Sequence, residues 1–140
     1  MGFGGRETLQ SYGVAPDRRF SADRWLKAAQ AALAQVLPER HRAFLDGLEL
    51  WHVEGGYLFV HAGLRPRVPL ERQERDDLIW IREEFLDSDA DHGHVVVHGH
   101  SITRAPDIRP NRIGIDTGAF FSGRLTALVL EGAERRFLTT

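Results

Sequence analysis

Apolar positions change their period twice along this chain. Between Ser21 and Pro38, the residues Trp25, Leu26, Ala29, Ala32, Leu33 and Val36 recur every three or four positions. That spacing predicts a helix, with Ser21 able to cap it and Asp23 in its first turn, ending where Pro38 interrupts. Pro38 itself suits the start of a second, shorter helix running to about Leu45, with Phe44 and Leu45 on its inner side. Both apolar faces read as core packing. Residues 1–15 are rich in glycine and hold no period, so they read as a lead-in.

From Leu48 the period shortens to two. Leu50-Trp51-His52-Val53, then Gly55-Gly56, then Tyr57-Leu58-Phe59-Val60 predict a β-hairpin, because glycines supply the positive φ that a tight turn demands. The second strand ends at His61. Leu78, Ile79, Ile81, Phe85 and Leu86 predict one short helix over 76–86. Val95-Val96-Val97 is continuously apolar, the pattern of a strand covered on both faces, and it leads into His98 and His100. Strands are further predicted over 112–115, 125–130 and 135–139, the last two joined around Glu131-Gly132. With no repeat, low-complexity stretch or linker, a single unit over 1–140 is expected.

Composition narrows the chemistry. A chain of 140 residues can bury about two thirds of its unfolded surface around one core. It contains no cysteine, which excludes a disulfide scaffold, thiolate metal ligands and a thiol nucleophile. The net charge of −2 argues against nucleic acid or a membrane surface as partner. Of 18 basic residues only Lys27 is a lysine, a bias that carries no function by itself. No apolar run approaches the roughly 20 residues that span a bilayer, and the first residues lack the form of a signal peptide, so a cytoplasmic location is expected.

Seven histidines remain to be explained, four of them at 92, 94, 98 and 100. His61 and His100 each follow a short apolar strand and stand beside glycine or a small residue. Loops leaving strand ends are rigidly based, so ligands and metals are commonly held there. Either histidine alone would pass for a surface residue. His92 and His94 sit among Asp89 and Asp91 and read as a solvated loop.

Four motifs occur in order: Tyr57-Leu58-Phe59-Val60-His61-Ala62-Gly63-Leu64-Arg65-Pro66, Leu78-Ile79-Trp80-Ile81-Arg82-Glu83-Glu84-Phe85, Val96-Val97-His98-Gly99-His100-Ser101 and Ile115-Asp116-Thr117-Gly118-Ala119. Together they resemble the C-terminal half of bacterial serine/threonine protein phosphatases of the calcineurin-like metallophosphoesterase superfamily, and the lead-in from Phe3 to Gly13 fits the same pattern. The resemblance implies an α/β (α+β) fold, the C-terminal half of a β-sandwich of mixed sheets flanked by helices. It makes His61 and His100 ligands of a metal in a dinuclear centre. Mn is the foremost metal, with Fe or Zn as alternatives, since neutral imidazole suits such ions. Arg82 takes the place of an arginine that holds substrate phosphate, for which its planar fork is suited. His98 and Asp116 are placed in the surroundings of the ligands, where they could orient them. An alternative for Arg82 is a surface pair with Glu83 or Glu84, and turn formation with Gly118 accounts for Asp116 almost as well.

The implied activity is metal-dependent hydrolysis of phosphomonoesters, with a phosphoserine or phosphothreonine protein or a small phosphoester as substrate. A nucleotide or diadenosine-polyphosphate hydrolase is the second enzyme reading, and an inert fragment acting as a binding module is the third. The family's GDxHG, GDxxDRG and GNH(D/E) motifs, which supply bridging Asp, further ligands and the general-acid His, do not occur in this sequence. The chain is therefore expected to be half of such a domain, inactive in isolation, with exposed strand edges and the other half as a partner.

Overall fold

The computed structural model describes residues 4–15, 21–132 and 134–140. They form two compact units, 1–48 and 49–140. The resemblance drawn from Phe3, and the chain between Pro16 and Phe20, lie outside the described residues.

The first unit is helical: α1 (Gly5–Ser11), α2 (Ala22–Val36) and α3 (Glu39–Asp46). The aperiodic lead-in thus contains a helix, too short for its single buried leucine, Leu9, to show a period. Ser21 holds the N-cap position of α2, but its side chain makes no capping bond. Leu9, Val14 and Ala29 are buried, with Tyr12, Trp25, Ala32 and Leu33 packed against them. Tyr12 Oη lies 2.8 Å from His41 Nδ1. The inward placing of Phe44 and Leu45 fails: they are 67% and 52% exposed. Helical spacing sets which residues share a face of α3, whereas contact with that face depends on other parts of the chain.

The second unit opens with the predicted hairpin, β1 (Trp51–Glu54) and β2 (Tyr57–Val60), antiparallel with Trp51 opposite Val60 and Glu54 opposite Tyr57. Only Gly55, the first residue of the turn, has positive φ, at 56°. Between β2 and β3 (Val95–His98) run a single 3-10 turn (Leu70–Arg72), α4 (Arg75–Trp80) and α5 (Glu83–Leu86). Two further strands, β4 (Asp107–Ile108) and β5 (Arg112–Gly114), complete a mixed sheet of order β1-β2-β3-β5-β4. β3 is central and parallel to both β2 and β5. That position explains its unbroken valines, since a parallel strand inside a sheet meets apolar partners on both faces. After a short helix α6 (Ala119–Ser122), β6 (Thr126–Glu131) and β7 (Glu134–Thr139) form a separate antiparallel ribbon.

The helix expected over 76–86 is broken in two. Ile81 adopts ψ 144°, and Arg82 adopts φ −132° and ψ −103°, far from helical values. Both halves keep the inward positions read from the sequence. Leu78, Ile81 and Phe85 join Leu58, Val60, Ala62, Leu64 and Val96 in the core. The break therefore leaves the core contacts intact and turns Arg82 outward.

Candidate functional site

The two strand-end histidines meet. β2 and β3 are parallel neighbours in register, Val60 beside His98, so the residues leaving their C-terminal ends emerge side by side. The His61 carbonyl accepts a hydrogen bond from the Gly99 amide at 2.9 Å, extending the ladder past the strands. The His61 and His100 rings then lie 5.1 Å apart between centroids.

His100 owes its direction to backbone conformation. Its φ of 62° is in the left-handed region, and the Ser101 amide donates to the Gly99 carbonyl across it at 2.6 Å. Such a turn costs a non-glycine residue about 1–3 kcal/mol and persists only where the surroundings enforce it. The same turn breaks the alternation between His98 and His100, so the two do not share a face as an extended strand would have it.

The ring of His100 is set for use as a ligand. Its Nε2 is buried with no hydrogen-bond partner, and the Trp80 backbone favours the protonated ring. Burial pushes the His100 pKa below the usual histidine value, with the charges of Arg82 and His61 acting in the same direction. The Trp80 ring also meets His100 edge-on, at 5.6 Å, a contact no spacing rule indicated.

Arg82, exposed at the break between α4 and α5, donates from Nη1 to Ser101 Oγ at 3.4 Å. Among the described residues it makes no ion pair. Glu84, one of its expected partners, is held instead by Arg65 at 2.6 Å. Guanidinium and two imidazoles are thus gathered at the ends of two adjacent strands.

His98 belongs to the core. It is 2% exposed, packs edge-on against Phe85 at 5.1 Å and has Nδ1 3.1 Å from the Gly99 carbonyl oxygen, with Nε2 buried and unpartnered. Burial lowers its pKa. Asp116 makes the turn: its Oδ1 accepts from the Gly118 amide at 2.9 Å, and its carbonyl accepts from the Thr103 amide at 3.0 Å. Its charge also acts on His98 and His100, favouring their protonated forms. The solvated-loop reading of His92 is corrected: it lies against Phe85, 5.7 Å between ring centres, and burial lowers its pKa.

A solved structure shares this architecture. The chain aligns over 96% of its length, at TM-score 0.59 and 23% identity, with the crystal structure of a putative diadenosine tetraphosphatase. The fold is common to both. The chain spans 64% of that protein's length. No protein-family model matches the chain, and no curated protein does.

The donor set fits a divalent ion of the Mn, Fe or Zn type through His61 and the orphaned His100 Nε2. It is a partial set: among the described residues no group of three His, Cys, Asp or Glu side chains is arranged to hold a metal. Nor is any helix among the described residues long and apolar enough to cross a membrane.

Proposed function

We propose that this chain supplies part of the centre of a metal-dependent phosphoesterase. The observation that carries the reading is the pairing of His61 with a His100 whose Nε2 is buried and unpartnered, with Arg82 beside them. His61 and His100 would hold the ion, which when bound supplies charge neutralisation at a phosphoryl group. Arg82 binds two phosphate oxygens through its fork and orients the ester, a task a lysine's single ammonium does less well. The depressed His100 pKa keeps the ring neutral at neutral pH.

The substrate we propose is a phosphomonoester, foremost a phosphoserine or phosphothreonine protein. A nucleotide or diadenosine-polyphosphate substrate fits as well, and the name of the structural neighbour favours it. Mn²⁺ titration of the chain by calorimetry is the test. Weak binding, lost in His61→Ala and in His100→Ala, is expected; binding unchanged in both variants would remove the assignment. With two donors in this chain, turnover of p-nitrophenyl phosphate with Mn²⁺ is expected to equal that of Mn²⁺ alone. Activity above that blank, abolished by His100→Ala, would show that the chain carries a complete centre.

A further inference from the structure

Arg65 stands on the loop after β2, four residues past His61, and spans the break that exposes Arg82. Its Nε and Nη2 donate to the two carboxylate oxygens of Asp77 on α4, at 2.6 and 2.7 Å, and its Nη1 donates to Glu84 on α5 at 2.6 Å. One guanidinium thus fastens the helix before the break and the helix after it. The backbone of Arg65 is held in turn: its amide donates to Gln73 Oε1 at 2.8 Å, and Gln73 Nε2 donates to its carbonyl at 2.9 Å. A further bond, from the Ala62 amide to the Leu78 carbonyl at 2.9 Å, ties the residue after His61 to α4.

We infer that Arg65 is a positioning residue that sets Arg82 relative to His61, so that the phosphate-binding guanidinium and the metal-binding imidazole form one rigid piece. The inference rests on the proposed role of Arg82. Stability is a poor account of the Glu84 arm of the triad. Arg65 is 44% exposed and Glu84 62% exposed on their side chains, and such a pair contributes little to folding, whereas Asp77, 14% exposed, anchors the guanidinium on α4. A bidentate fork does, however, restrict direction strongly. The restricted element is a short break with non-helical dihedrals at Arg82, the residue that links α4 to α5.

The test is titration of inorganic phosphate into the ¹⁵N-labelled chain, followed at the amides of residues 99–101. Arg82→Ala is expected to weaken binding by about tenfold or more, the range for a lost hydrogen bond to a charged group. Arg65→Ala and Arg65→Lys should each weaken it by about fivefold, within the coupling range of residues in one network. Equal losses in both Arg65 variants would identify the fork rather than the charge. Glu84→Gln, which frees only α5, should cause about a twofold loss with an unchanged melting temperature. Adding Arg65→Ala to Arg82→Ala should cause no further loss, because the first acts through the second. Wild-type phosphate affinity in Arg65→Ala and Glu84→Gln, with Arg82→Ala impaired, would overturn the clamp and leave the role of Arg82 standing. Full rescue by Arg65→Lys, or additive losses in the double variant, would equally overturn it. No loss in Arg82→Ala would remove the phosphate role itself, and the clamp with it.

Discussion

In residues 49–140 the apolar positions of two parallel strands and two short helices converge on one core, with Leu58, Phe85 and Val96 fully enclosed. In residues 1–48 α2 and α3 form where the sequence predicts them, yet Leu26, Val36, Phe44, Leu45 and Leu48 stay exposed and the buried cluster is small. An amphipathic period is a local property that a helix can satisfy alone. Enclosure requires surfaces from distant parts of the chain, and the β2-β3-β5 arrangement supplies them. The site follows the same division: His61, Arg82 and His100 all stand on segments anchored in the enclosed core.

The largest effects should separate the two units. Phe85→Ala is expected to cost about 3–5 kcal/mol in urea denaturation, because it opens a cavity beneath Gly63 and beside His98. Phe44→Ala, at a position already open to water, should stay within about 0.5 kcal/mol. A comparable loss in Phe44→Ala would mean that its face is covered in solution. Gly63→Ala sharpens the contrast. A β-carbon there would come 2.3 Å from the Phe85 ring, and such overpacking costs about 1–3 kcal/mol.

An intermediate effect is expected at the far edge of the same sheet. Arg112, buried on β5, donates to the Asp107 carboxylate and, at 2.8 Å, to the Leu86 carbonyl. The Arg112 hydrogen bond holds the Asp107 pKa below its ordinary 3.8. Unfolded chain therefore takes up this proton first as pH falls, so the stabilisation is complete above about pH 4 and is lost through the lower folded value. His92, depressed by burial below 6.5, adds a loss of the same sign beginning near neutrality. Asp107→Asn should cost about 2 kcal/mol at pH 7 and flatten the acid limb of a stability-against-pH curve. An unchanged acid limb would discount the pair.

The smallest effect should come from α6. Phe120 is 87% exposed, and Phe120→Ser is expected to shift stability by less than about 0.5 kcal/mol. A larger loss on thermal melting would place that ring in a contact absent from the described chain.

What the sequence determined by itself was local. The period-two hairpin around Gly55-Gly56, the all-apolar Val95-Val96-Val97 and the helix before Pro38 each carry their conformation in adjacent residues, and each formed as expected, the helix without its Ser21 side-chain cap. The ordered motifs also singled out His61, His100 and Arg82 before any of them had a position. Tertiary structure alone decided the rest. That His61 and His100 face each other follows from the parallel pairing of strands more than thirty residues apart. The break at Arg82 replaced a continuous helix because Leu78, Ile81 and Phe85 meet the core from two short segments, and the triad of Arg65, Asp77 and Glu84 bridges them. His92 left the polar surface for the Phe85 ring, which His98 also meets edge-on, and Phe44 left the expected core for solvent. Spacing along a chain specifies which residues share a face. Which faces meet depends on packing between segments distant in sequence, and that is where the direction and protonation of the site's side chains are set.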